Sequence, residues 1–177
     1  YLLKLYRYAV EENFDFKKYG PAKIVCIGEA IKDKSLKLNA LGQLVQEKWN
    51  CDLFSSYSST EIATTFCECQ YQQGGHLIPE LAFLEIVDEK GDPITEDYVP
   101  GELGLTTFKM EGMPLLRYKT GDIVFKVSTP CSCGRNSVRI GPVLGRKNHM
   151  ILFKGTTIYP GPIEPAIIGV DGVENYI

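Results

Sequence analysis

The sequence predicts an α/β fold followed by β structure: the end of a parallel βαβ sheet, then a small antiparallel sheet or barrel, then the start of a small C-terminal α+β domain. Three observations predict it. The apolar run Lys23-Ile24-Val25-Cys26-Ile27 suits a strand buried in a parallel sheet. Leu38, Leu41, Leu44, Val45 and Trp49 then recur at helical spacing before a second apolar run, which gives β-α-β order and a right-handed crossover. After Glu61, Gly and Pro interrupt apolar runs at short intervals, as they do between antiparallel strands.

Taken in order, a helix is expected over 2–10, a loop over 13–21, a strand over 23–27, a helix over 35–49 and a strand over 51–55. Strands follow over 81–87, 102–108, 115–118, 122–127 and 137–143, with turn chemistry at 88–93. A hairpin is expected from 150–153 and 156–159 around Lys154-Gly155, and a helix over 162–168, where Pro162 is tolerated in the first turn. The expected divisions are 1–61, the last part of a parallel α/β subdomain; 62–145, an antiparallel β subdomain; and 146–177, a hinge with the start of a small domain.

The 177 residues are 44% hydrophobic and 23% charged, enough for a packed core and too apolar for disorder. A net charge of −3 without a basic run argues against nucleic acid as a partner. No apolar run reaches the roughly 20 residues that span a bilayer, and the first residues lack a signal peptide's pattern, so the expectation is cytoplasmic with no membrane partner. The start at Tyr1, without Met, suggests a trimmed chain.

The six cysteines are Cys26, Cys51, Cys67, Cys69, Cys131 and Cys133. Two Cys-x-Cys pairs argue against three disulfides, because such neighbours rarely bridge each other. Cys69, His76, Cys131 and Cys133 offer the donor set of a closed, structural tetrahedral zinc site that would tie two loops together. Cys67 competes with Cys69 for that role, and four free residues on neighbouring loops is the alternative. Cys26 and Cys51, in expected strands, read as core thiols, and His149 as a surface residue.

Three segments carry a family resemblance: Tyr57-Ser58-Ser59-Thr60-Glu61; Tyr118-Lys119-Thr120-Gly121-Asp122; and Gly145-Arg146 through Met150-Ile151 and Lys154-Gly155 to Ile163-Glu164. In this order they resemble the motifs of the adenylate-forming superfamily of acyl-CoA synthetases, luciferases and peptide-synthetase adenylation domains. Glu68-Cys69, Gly75-His76, Met113-Pro114-Leu115-Leu116-Arg117-Tyr118 and Ile158-Tyr159-Pro160-Gly161-Pro162-Ile163-Glu164 are similar to the phenylacetate–CoA ligase branch. The resemblance covers nearly the whole chain from about Lys23.

The resemblance implies ATP/AMP, Mg2+ and coenzyme A as cofactors and co-substrate, and a small carboxylic acid as partner. It implies that Glu61 holds magnesium, Thr60 hydrogen-bonds the α-phosphate and Tyr57 offers an aromatic face to adenine; a capped polar turn is the plain alternative for this stretch. Ser58 stands where the family usually has Gly, so the backbone approach to nucleotide differs there. Gly28, Glu29 and Ala30 would line the adenine pocket, or form an ordinary strand-to-helix turn. Asp122 would accept the vicinal ribose hydroxyls, with Arg146 reaching the ribose or phosphate; a turn aspartate and a surface arginine are the alternatives. Asn148, where relatives carry Asp or Lys, falls at the family's hinge or in a simple polar loop.

The implied function is an ATP-dependent acid–CoA ligase acting on an aromatic acid through an acyl-adenylate. A coenzyme F390 synthetase-like or other adenylate-forming enzyme is the nearest rival, and a non-catalytic zinc-stapled binding module the more distant one. A homodimer is compatible with all three. The family's Ser/Thr/Gly-rich phosphate loop and its C-terminal adenylation lysine have no counterpart in the 177 residues, so the chain alone is expected to be inactive.

Overall fold

A computed structural model describes residues 1–62, 64–153 and 156–158. Its N-terminal unit is built as its apolar spacing requires. Helix α1 (Leu2–Glu11) and the short α2 (Phe16–Tyr19), capped by the Asp15 carboxylate, precede strand β1 (Lys23–Ile27). Helix α3 (Ala40–Trp49) connects β1 to the parallel strand β2 (Asp52–Ser58), with Ile24 opposite Leu53 and Cys26 opposite Ser55. Leu41, Val45 and Trp49 bury one face of α3 against Cys26, Ile31, Cys51 and Leu53. The Trp49 indole donates to the Leu2 carbonyl at 3.2 Å, which fixes α1 against α3.

Two expectations change here. The helix over 35–49 begins only at Ala40, because the Asn39 side chain accepts from the Gly42 N–H and caps it. Strand β1 is not buried on both faces: it is the edge of its sheet, Cys26 is buried, and Val25 and Ile27 are 56% and 60% exposed.

From β2 the same sheet continues antiparallel through β3 (Thr65–Glu68), β4 (Gly75–His76), β9 (Arg139–Ile140) and β8 (Lys126–Val127), in the order β1-β2-β3-β4-β9-β8. A 4-stranded antiparallel sheet, in the order β10-β7-β6-β5, joins β5 (Ala82–Val87), β6 (Gly101–Thr107), β7 (Tyr118–Val124) and β10 (Gly145–Arg146). Ile62, Phe66 and Leu77 share one core with Ile86, Leu103, Leu105 and Val124, so the two sheets close on each other. The parallel β-α-β unit and the small antiparallel sheet are those expected from the sequence; the continuation of the parallel pair into one mixed six-stranded sheet is not.

The strands expected over 115–118 and 122–127 are instead β7 followed by the short β8. Gly121, at φ 78°, does not break β7; the pairing with β6 shifts register between Glu102 and Gly104 and absorbs the irregularity. The strand over 137–143 shrinks to β9. Strands β11 (Ile151–Phe153) and β12 (Thr156–Ile158) pair as the expected hairpin. The helix expected over 162–168 lies outside the described residues. Among the described residues no helix is long and apolar enough to cross a membrane.

Candidate functional site

A cavity of about 420 Å³ opens where β1 and β2 end and β7 and β10 meet. Gly28, Glu29, Ala30, Tyr57, Ser58, Asp122 and Arg146 all line it. Gly28 sits at φ 79°, in the left-handed region, and this turns the chain out of β1 toward the cavity. Tyr57 and Ser58 are the last residues of β2, which runs three positions further than the expected strand. Asp122 and Arg146 face each other across the β7–β10 pair.

The centre of the cavity wall is a three-residue polar unit. The Tyr57 hydroxyl donates to Asp122 Oδ2 at 2.8 Å, and Arg146 Nε donates to Asp122 Oδ1 at 2.9 Å. Burial pushes the Tyr57 hydroxyl well above the ordinary tyrosine value. The Asp122 side chain is 7% exposed and that of Arg146 62%, so a buried anion is held from one side by a cation that reaches water. Each carboxylate oxygen can accept a further hydrogen bond, and Asp122 lines the cavity. Ser59 Oγ, also on the lining, is buried.

A second polar unit in the lining went unread in the sequence. Lys32 Nζ lies 2.9 Å from Glu68 Oε1, with both side chains 2% exposed. Glu68 Oε2 accepts the Ser55 N–H at 2.7 Å, and Lys32 also donates to the Gln72 carbonyl at 3.1 Å. The pair ties the segment after Gly28–Ala30 to β2 and β3. Nothing local in a sequence marks a lysine and a glutamate on different elements as partners.

Thr60 and Glu61 follow β2 in a 3-10 turn, Thr60–Ile62. Both are exposed and neither lines the cavity, although adjacent Ser59 does. Hydrogen bonding to a backbone N–H of its own turn holds the Glu61 carboxyl below the usual range. An exposed, ionised carboxylate beside a hydroxyl is hard-oxygen chemistry that suits magnesium. Asn148 lies in the 3-10 turn Lys147–His149 and is not among the residues with positive φ. His149 is exposed, as expected, at the cavity rim.

Just past the end of β3, at His76 in β4 and in the loop before β9, the ligand atoms of Cys69, His76, Cys131 and Cys133 all lie within 4.8 Å of one another. Cys67 is exposed and outside the group. Cys26 and Cys51 are buried free thiols whose pKa burial raises, as the core reading expects.

No protein-family model matches the chain. It is 41% identical over 108 residues, 60% of its length, to the phenylacetate–coenzyme A ligase of Thermus thermophilus, and 32% identical over 101 residues, 56% of its length, to that of Aromatoleum evansii. The chain spans only 24% and 22% of those two proteins. Among solved structures, a 2-hydroxyisobutyryl-CoA ligase in complex with an AMP-bearing ligand superposes with a TM-score of 0.80 at 20% identity, over 97% of this chain and 36% of that one. The anthranilate CoA ligase AuaEII in complex with anthranoyl-AMP superposes with a TM-score of 0.56 at 17% identity, over 91% of this chain and 31% of that one. These likenesses establish the fold.

Proposed function

We propose that the chain contributes the nucleotide cavity of an ATP-dependent acid–CoA ligase, a reading supported by its 41% and 32% identity to two phenylacetate–CoA ligases and by the fold it shares with a 2-hydroxyisobutyryl-CoA ligase. The convergence of Gly28–Ala30, Tyr57, Asp122 and Arg146 on one cavity carries the reading. In the first half-reaction the acid's carboxylate oxygen attacks the α-phosphorus of ATP and pyrophosphate leaves. In the second, the coenzyme A sulfur attacks the acyl carbon, the acyl–oxygen bond breaks and AMP leaves. No residue of the chain need become covalently modified, so its part is positioning and charge stabilisation.

The Tyr57 ring, fixed by its bond to Asp122, offers a face to adenine, with Gly28, Glu29 and Ala30 along the base's edge. Asp122 accepts the ribose hydroxyls on the acceptor sites that Tyr57 and Arg146 leave open. Arg146 reaches past Asp122 to the ribose or phosphate. Thr60 donates to the α-phosphate, and Ser58, whose hydroxyl donates to the Thr64 carbonyl at 2.7 Å, borders the nucleotide from the cavity wall. Magnesium, held by Glu61, would supply neutralisation of the phosphate charge. Asn148 acts in the hinge that carries the following domain between the two half-reactions. The acid is aromatic, the protein works in the cytoplasm, and the 177-residue stretch does not adenylate alone.

The test uses the longer protein that carries this chain and measures acid-dependent pyrophosphate release and acyl-CoA formation across a panel of aryl acids. Turnover with an aryl acid is expected, and Glu61→Gln should slow pyrophosphate release by about 10²–10³ with little effect on AMP affinity. No acid-dependent pyrophosphate release from the wild-type protein would refute the reading. Robust release by the 177-residue chain alone would refute its dependence on further sequence.

A further inference from the structure

We propose that Cys69, His76, Cys131 and Cys133 hold one zinc ion in a closed tetrahedral site, and that this ion is the structural tie between the 69–76 and 129–137 loops. The inference stands on the cluster's own geometry, independently of the ligase reading.

Zinc bonds of about 2.3 Å to sulfur and about 2.0–2.1 Å to nitrogen, at tetrahedral angles, set two sulfurs about 3.8 Å apart and a sulfur and nitrogen about 3.6 Å apart. Cys69 Sγ and Cys131 Sγ are 3.6 Å apart, and Cys133 Sγ and His76 Nε2 are 3.5 Å apart. The two pairs come from different loops, and both match the edges of one coordination tetrahedron. Four protein donors fill that tetrahedron and leave no position for substrate, so the ion is structural.

The surroundings are those of a ligand set. His76 turns Nε2 to the cluster and Nδ1 to Ser137 Oγ at 3.2 Å, so a donated Nδ1–H would fix the ring with Nε2 free to coordinate. Three thiolates on a divalent ion leave one net negative charge. Arg135 Nη1, 3.7 Å from Cys133 Sγ, lies where it offsets that charge. Little apolar material holds either loop. At their bases the loops are joined by the β4–β9 pairing and by Arg139, 1% exposed, which donates to the Gln73 and Thr129 carbonyls. Among themselves, the gathered donors make only thiol contacts at 3.5–3.6 Å, weak beside the zinc–thiolate bonds that would hold the loop tips together.

The experiment is elemental analysis of the full chain purified without chelator, followed by exchange with cobalt(II). One zinc per chain is expected, and the cobalt form should show the intense visible bands of a tetrahedral site with thiolate-to-metal charge transfer. Cys131→Ser should lower zinc affinity more than about a hundredfold. The milder Ser137→Ala, which leaves every ligand in place, should lower it about 10–100-fold, as loss of an outer-shell partner does. Cys67→Ser should leave it unchanged. Substoichiometric metal with no uptake of added zinc would overturn the proposal. So would iron in zinc's place, a Cys69–Cys131 disulfide as the stable form of the purified chain, or release of zinc by Cys67→Ser.

Discussion

The chain carries two polar clusters, one in the cavity wall and one around Cys69 and His76, and they differ in how they are closed. At the cavity, a buried carboxylate, Asp122, is flanked by Tyr57 and by Arg146, whose side chain is 62% exposed. Its oxygens can accept further hydrogen bonds beside an open cavity, which suits a ligand that must come and go. At the cysteine–histidine cluster, four donors point at one another within 4.8 Å. Nothing is left over for a substrate, which suits a permanent tie. Openness, rather than the presence of ionisable groups, separates the site proposed to bind nucleotide from the one proposed to hold zinc. Between them runs β3, with Glu68 paired to Lys32 on the cavity wall and Cys69 next to it in the cluster.

That shared strand makes the buried pair the place where the comparison is most easily broken. Lys32→Met leaves Glu68 charged, buried and unpaired, and should cost about 3–5 kcal/mol in urea unfolding. A Lys32→Met/Glu68→Leu double variant should recover most of the loss, since a packed apolar replacement is often neutral. A double variant as unstable as the single one would mean that the pair holds β2 and β3 by more than charge.

Chelation sharpens the comparison from the other side. Metal withdrawal should raise backbone hydrogen exchange in the 69–76 and 129–137 loops and lower the melting temperature. Amides of β1 and α3, held by Leu41, Val45 and Trp49, should keep their protection. Equal deprotection of α3 would make the cluster a determinant of the whole fold.

A smaller effect separates Tyr57 from its neighbours. Burial raises its pKa above the ordinary value, so the contribution to stability is full below about pH 10 and is lost as pH rises beyond it. Tyr57→Phe should flatten that alkaline loss while costing about 1 kcal/mol at neutral pH, from the hydrogen bond to Asp122. An unchanged alkaline limb would place the titration elsewhere. Smallest of all, Cys67→Ser on the exposed face of β3 should shift stability by no more than about 0.5 kcal/mol.

The two clusters were also unequally legible. Thiols and an imidazole have few roles in common, so spacing alone gathered Cys69, His76, Cys131 and Cys133, although it left Cys67 in contention. The cavity residues were found through motif resemblance, because a turn aspartate such as Asp122 has no signature of its own. Apolar periodicity found α1, β1, α3, β5 and β6. It missed β3 and β4, where four residues and two residues pair over long range with too little pattern to read. It also misjudged β1, since an apolar run cannot say which of its faces a given stretch of chain covers. The Lys32–Glu68 pair was invisible because its partners meet only after the sheet forms.

The most direct test joins AMP affinity and zinc content in one sample of Asp122→Asn, prepared in the longer protein. The amide loses the charge that holds Arg146 and, in the proposed function, the ribose, but leaves the four cluster residues untouched. AMP affinity should fall by a factor of about 10–100, the equivalent of about 1.5–3 kcal/mol for a charged hydrogen bond. Zinc should remain at one per chain. Undiminished AMP affinity, or zinc lost together with the nucleotide, would contradict the division into an open site that binds and a closed one that holds.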